Sequence, residues 1–519
     1  MTPQPTPPHS GDTARGDRRS LAKGAGLAVL GRLGALVEAA SFPLFLWLYG
    51  PVAFGAYATI WAVTRIATGV TVMGMDVAIQ RFAPALAGED AVHRALSVAL
   101  ATAGTASLVG AGAMAVFAPE LAQLAEWGGT APAAGPLAVR LFALALPLWT
   151  AMELLTAAVR ARRKFGPEIR IRAFYEPAAR IVFAVALAGA GVTTHGLFAA
   201  HLLSMALACA LSVDLARRFY TLRRCLRPGR DPGQARRLLA YAAPMMPANL
   251  IIRLFSELPI IALNALTAGA AGTASAGYYA IARKIASLLQ LVYNAFDYVL
   301  TPLAAHREGQ ADRAAVADMY AFSARLMIAL GLVLAGFLIA GRHLFVGVLG
   351  PESAPAGAAL AVLAAGRLVT FFFGQAAATV RTLGSTLWSL MNGGLGLVVM
   401  LALLPVLIRA FGAPGAAGAA AAGLIVARGL PCLEVGLFYR LWPYSAALRR
   451  PALVGAAGAG GLLLMGELSA DWPIAGQIAV IGMALVLAML SLLRYGLSSA
   501  DAAAFGKLGR RLRREREPS

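Results

Sequence analysis

Of the 519 residues, 59% are hydrophobic and only 13% are charged, yet the formal net charge is +20. A soluble domain carries roughly 25% charged residues and 45–50% apolar ones, so this balance excludes an ordinary soluble protein. The three cysteines stand in no metal or disulfide spacing, the six histidines form no HExxH cluster, and no GxxxxGK[ST] loop occurs. These absences exclude the familiar zinc-hydrolase and ATP-driven pump patterns.

Residues 1–20 are polar and rich in Pro and Gly, and are predicted to be a disordered cytoplasmic N-terminus. Apolar runs then follow, each long enough to cross a hydrocarbon core of about 30 Å. Six lie within 21–216, at 21–49, 54–80, 93–117, 137–159, 173–191 and 194–216. A basic linker, 217–239, separates them from six more within 240–440, at 240–266, 275–304, 318–341, 357–379, 383–409 and 413–438. Two further spans at 451–469 and 473–495 fill 451–495, and a basic tail covers 496–519. The predicted fold is all-α: a polytopic transmembrane helical bundle of about 14 spans. It has two pseudo-symmetric six-helix lobes, 21–216 and 240–440, with the C-terminal pair appended.

The distribution of charge explains its excess. Connections sharing a side with the N-terminus hold 34 of the 45 Lys and Arg residues, whereas the opposite connections hold only Arg342 and Arg409. Short Lys/Arg-rich loops stay inside, which predicts cytoplasmic termini and a cytoplasmic linker. The basic charge is a record of topology rather than a nucleic-acid footprint.

The two blocks echo one another. Arg32 and Asp76 in the first are spaced like Arg253 and Asp297 in the second, and "FGAY" (54–57) matches "AGYY" (276–279). Parallel repeats of this kind are a transporter plan, with the substrate site between them. Polar stripes mark the same helices. At 100° per residue, Tyr279, Arg283, Ser287, Gln290, Asn294 and Asp297 share one face of the eighth span. Asn249, Arg253, Ser256, Glu257 and Asn264 share a face of the seventh, and Tyr57, Trp61 and three threonines a face of the second. Such a stripe does not face lipid, so it is expected to line a polar interior.

Arginine forks suit phosphate-like oxyanions, which makes Arg32, Arg65, Arg253 and Arg283 the candidate substrate-binding residues. Tyr57, Trp61 and Tyr279 would add flat amphipathic surface, and Asn249, Gln290 and Asn294 polar lining. Asp76, Glu257 and Asp297 are candidate coupling carboxylates, because an intramembrane acid can change its protonation. A plainer reading stands beside this one. Arg253 and Glu257, four residues apart, could simply neutralise each other, and Tyr57 and Tyr279 could be interface anchors.

Four stretches carry a resemblance: "LYGPVAFGAYATIWAVTRI" (48–66), "YAAPMMPANLIIRLFSELPIIAL" (241–263), "GYYAIARKIASLLQLVYNAF" (277–296) and "LFVGVLGPESAPAGAALAVLA" (344–364). In this order they resemble the oligosaccharide-lipid flippases, the polysaccharide-export branch of the multidrug/oligosaccharidyl-lipid/polysaccharide exporter superfamily. The resemblance covers roughly residues 20–440. Glu257 stands where that pattern usually has an acidic residue in the seventh span. "PVAFG" departs from it, lacking the glutamate of the first motif.

The resemblance implies a transporter rather than an enzyme, in a bacterial inner membrane and without a cofactor. It would move an undecaprenyl-diphosphate-linked glycan from the cytoplasmic to the outer leaflet, for cell-surface polysaccharide, lipopolysaccharide or exopolysaccharide. Implied partners are that glycan, membrane lipids and polysaccharide polymerase machinery, and no nucleic acid. Superfamily members commonly couple to an ion gradient. The rival readings are a cation-coupled drug exporter, which would want an acidic cavity, and a membrane polymerase or ligase. The latter needs catalytic groups in large external loops, and the longest, about 118–136, offers only Glu120 and Glu126.

Overall fold

The computed structural model describes residues 34–501 apart from 87, 125–133, 163–165, 194, 226–231, 268, 298–312, 384–385 and 498–500. The expected N-terminal segment 1–20, Arg32 and most of the 496–519 tail lie outside the described residues. Among those described the secondary structure is helical, with no strand. Ten helices among the described residues are long and apolar enough to cross a membrane, or eleven if a bent pair counts as one span. The chain is a multi-pass membrane protein. The first expected span is described from Gly34 and the eighth only to Asp297.

The described helices fall into two compact units. The first, Leu33–Ile281 with Leu404–Ala416, contains α1 (Gly34–Tyr49), α2 (Pro51–Thr71), α3 (Met75–Phe82), α4 (Glu89–Val116) and α5 (Ala145–Ala161). It continues with α6 (Glu176–Gly189), α7 (Gly196–Arg217), α8 (Met245–Leu266) and most of α9 (Gly269–Ala286). Helix α2 starts where Gly50, at φ 82°, turns the chain and Pro51 supplies the first helical residue. Its end is as sharply marked. Met73 and Gly74 both take positive φ, and α3 leaves at 43° to α2. The break sets Asp76 in the first turn of α3, where free backbone N–H groups favour a negative charge.

Two contacts fix how α2 and α8 pack. Arg65 meets Glu257, and a Cβ added at Gly69 would lie 2.9 Å from Cδ of Arg253. One turn forward along α2 is one turn backward along α8, so the helices are antiparallel. Helix α2 also approaches α9 closely. A Cβ on Gly55 would stand 1.9 Å from the carbonyl oxygen of Thr273, and one on Gly277 3.0 Å from Gly55 Cα. The glycines that occupy matching places in "FGAY" and "AGYY" therefore face each other.

The second unit, Ala282–Leu403 with Ala417–Ser519, contains the helix at 288–297 (α10), α11 (Arg313–Ala340), α12 (Ala354–Phe372) and α13 (Thr386–Phe411) up to Leu403. From Ala417 it takes most of α14 (Ala413–Tyr439), then α15 (Arg449–Leu468) and α16 (Ile474–Ser491). The glycine tract at 454–461 lies against α11. Gly336 has room only for hydrogen beside Ala459, and Gly455 packs on Ala329. Small residues let such backbones approach in a membrane, where water supplies no drive for association. The buried ion pair of Arg325 with Asp501, at 2.9 Å, ties α11 to the end of the described chain.

The eighth span is not one continuous helix. It is interrupted at Ser287, whose hydroxyl donates to the Lys284 carbonyl at 2.6 Å. A side chain that bonds its own preceding turn competes with the backbone ladder.

Candidate functional site

The antiparallel packing of α2 and α8 leaves a cavity of about 250 Å³ inside the first unit. Its lining includes Arg65 from α2, Asp76 from α3, Glu153 from α5, and Asn249 and Arg253 from α8. Gly69 makes the space, because the stem of Arg253 lies where any side chain would be. Of the residues singled out in the sequence, Arg65, Asp76, Asn249 and Arg253 meet here, with Glu257 one turn along.

Most of these charges are already committed. Glu257, 1% exposed, pairs at 3.0 Å with Arg65 across the helix interface rather than with Arg253 on its own helix. Glu153 accepts two hydrogen bonds from the fork of Arg172, at 2.9 and 2.8 Å. Arg172 lies 3.5 Å from Glu168, which pairs in turn with Arg160, and Arg160 donates to Gln80 of α3 at 3.0 Å. The result is a chain of alternating charges supporting one wall.

Two groups of opposite sign are left. Among the described residues Arg253 makes no hydrogen bond and no ion pair within 4 Å. Asp76 keeps one carboxylate oxygen, Oδ1, buried without a hydrogen-bond partner. An arginine with its fork free can take a planar or tetrahedral oxyanion. A carboxylate with an unsatisfied buried oxygen is a site for a proton or a donor group. The arginine excess counted over all spans is not concentrated at this cavity, where the pairs cancel and one charge of each sign remains.

The aromatic candidates lie elsewhere. Tyr57 is buried among Phe54, Phe142 and Phe198, its hydroxyl 2.7 Å from Nδ1 of His201 and accepting from Arg180 at 3.3 Å. Arg180 is held by Glu176 at 2.8 Å, and Ser204 donates to the same carboxylate. Trp61 packs edge-on against His201 with centroids 4.2 Å apart. Tyr279 is fully buried. The close glycine contact two residues before each tyrosine draws its helix into the packed interior, so neither ring lines the α2–α8 cavity.

In the second unit, Arg283 is half-buried near the end of α9. Gln290 donates to Asn294 at 3.0 Å and accepts from Arg367 of α12 at 2.8 Å. Arg428 sits 3.9 Å above the ring of Tyr293. Asp297 closes the described part of α10. Arg32 lies outside the described residues.

Sequence reasoning missed the supporting network of Glu153, Arg160, Glu168 and Arg172. Glu153 and Arg160 stand seven apart, two turns on one face of α5, which was a readable signal. Arg172 was hidden among loop charges that count toward topology.

The family model described as Polysaccharide biosynthesis protein matches residues 48–352. No curated protein matches the chain. Among solved structures, it is similar to Lipid II flippase MurJ in an inward closed conformation, with a TM-score of 0.68 at 12% identity. That match covers 90% of this chain and 97% of the other. An inward-facing multidrug resistance MATE family transporter of the MOP superfamily gives a TM-score of 0.60 at 16% identity, over 83% and 95% of the two chains. The Vibrio cholerae MATE transporter VcmN in its bent form gives 0.56 at 13%, over 82% and 98%. At these identities the likeness is one of fold.

Proposed function

The chain belongs to the polysaccharide biosynthesis protein family, and from that premise we propose that it is a flippase. It carries a lipid-diphosphate-linked oligosaccharide from the cytoplasmic to the outer leaflet of a bacterial inner membrane. The observation that supports this most is the free fork of Arg253 in a cavity between membrane helices, beside an Asp76 oxygen with no partner. The fork holds diphosphate oxygens two at a time. Arg65 is fixed by Glu257, and that pair adds no net charge to the cavity.

Asp76 is the coupling group best placed to act, since Glu257 is held by Arg65. As a carboxylate in the same cavity lining it repels the diphosphate, and protonation removes that repulsion. Anion binding and proton binding then favour each other reciprocally. A diphosphate that takes up one proton is still net negative. An inside-negative potential drives it outward with about 2.3 kcal/mol per charge per 100 mV.

The test is a glycan-export complementation assay with membrane abundance measured beside it. Arg253→Ala should abolish export at normal abundance, because removing it orphans no described carboxylate. Arg253→Lys keeps the charge but loses the fork, and should export at roughly a tenth of the wild-type rate or less. Arg283, the substrate-binding candidate on the eighth span, should show the same order. Wild-type export by well-expressed Arg253→Ala protein would end the assignment for that residue.

The balanced charge of the cavity favours one second reading, a drug exporter of cations held by Asp76. It expects Asp76→Asn to raise accumulation of a cationic dye while leaving glycan export intact. The flippase reading expects the reverse.

A further inference from the structure

A second, larger cavity in the first unit plays no part in the transport reading. It has a volume of about 1090 Å³, at the top of the roughly 300–1,000 Å³ range of small-molecule sites. Its floor is apolar, formed by Leu100 of α4, Ala151 and Leu155 of α5 and Val213 of α7. Its rim is net cationic, formed by Arg217, Arg218, Arg223 and Arg224 with Glu89 beside them, whose carboxylate is paired with Arg162. The rim stands where α4 begins and where α5 and α7 end, beside three connections that carry the excess Lys and Arg. Leu100 lies eleven residues into α4 from Glu89, about 16 Å along the helix, and seven residues, about 10 Å, past the start of the apolar run at 93.

The arginine-bearing segment is built rather than loose. The Thr221 N–H donates to Nε2 of His93 at 3.0 Å, and the Tyr220 hydroxyl donates to the Ala158 carbonyl at 2.7 Å. Arg162 lies over the Tyr220 ring at 5.0 Å, and Cys225 is buried. Two of the four rim arginines have partners, Arg218 with Asp214 at 2.8 Å and Arg224 with Asp90 at 3.0 Å. Arg217 and Arg223 have none among the described residues, and both are exposed. Guanidinium groups at the mouth of an apolar groove suit an occupant with an anionic head and an acyl tail.

We propose that this cavity is a binding site for an anionic phospholipid of the leaflet on the basic side of the membrane. The phosphate lies between Arg217 and Arg223, and an acyl chain runs over Leu100, Leu155 and Val213. Basic clusters against the inner leaflet gain about a factor of five in lipid affinity per arginine. Soluble phosphate would satisfy the rim and leave the floor empty, so the tail separates a lipid from a free ion.

The test reconstitutes the full chain in vesicles of equal phosphatidylglycerol and phosphatidylcholine, extracts it and measures the lipid retained. Wild type should retain phosphatidylglycerol preferentially, and excess inorganic phosphate should not displace it. The R217Q/R223Q variant should lose that preference by roughly thirtyfold. The R236Q/R237Q variant removes two exposed charges from the same segment without touching the cavity, and should keep it. Val213→Trp fills the floor and should lower retention with the rim intact. Equal retention of both lipids by wild type, an equal loss in both double variants, or displacement by phosphate would each overturn the site. Preferential replacement by an undecaprenyl diphosphate would overturn it in favour of a substrate-docking role. The readout is retained lipid, so the result stands apart from glycan export.

Discussion

At the scale of single residues, the cavity is defined by which charge chose which partner. Spacing alone makes Arg253 and Glu257 neighbours on one helix face, and a reader of the sequence could pair them. The structure pairs Glu257 with Arg65 instead, because a carboxylate 1% exposed needs an opposite charge close by and the antiparallel packing brings Arg65 to 3.0 Å. That choice leaves Arg253 available. It was not legible in the sequence, since it depends on the register between two helices rather than on either one. The pairing predicts an asymmetry in stability. Glu257→Gln leaves the Arg65 charge without its partner and should cost about 3 kcal/mol. Adding Arg65→Gln should recover part of that loss, whereas adding Arg253→Gln should recover none. Thermal melting of the detergent-solubilised variants, followed by size-exclusion chromatography, measures this. Equal rescue by both second substitutions would restore the same-helix pair.

At the scale of elements, hydropathy located the helices well, because a bilayer demands about twenty apolar residues per crossing and leaves little choice of secondary structure. The interruptions were less legible. Ser287 breaks the eighth span through its own hydroxyl, and the Met73–Gly74 turn bends α2 away from α3. Both are local backbone events that a periodicity count averages over. The echo of "FGAY" in "AGYY" is visible in the sequence, where the tyrosines are its most conspicuous members. The structure gives the contact to the glycines. Gly55→Ala would place a methyl group 1.9 Å from the Thr273 carbonyl oxygen, so α2 and α9 must separate. Folded yield of Gly55→Ala should fall severalfold. Gly104→Ala on α4 meets nothing within 4 Å, and should be neutral or gain up to about 1 kcal/mol from helix propensity. Similar yields for the two variants would show that the close approach is not required.

At the scale of the whole molecule, composition and the one-sided placement of Lys and Arg led to a multi-pass helical membrane protein. The family match and the transporter folds agree with that reading. The spans are written in runs of residue type, which any single sequence displays. The cavity is written in contacts between runs, which it does not. Hence the arginines and carboxylates could be named in advance, while their sorting into paired and free could not.

The central claim is that this chain moves a diphosphate-linked glycan across a bilayer by means of the free fork of Arg253. Its most direct test is transbilayer movement of a fluorescent undecaprenyl-diphosphate oligosaccharide in proteoliposomes, with an inside-negative potential imposed. The account predicts that wild-type protein accelerates movement to the outer leaflet, that collapsing the potential slows it, and that Arg253→Ala reduces it to the rate of protein-free vesicles. Movement no faster than in protein-free vesicles with wild-type protein, or undiminished movement with Arg253→Ala, would contradict it.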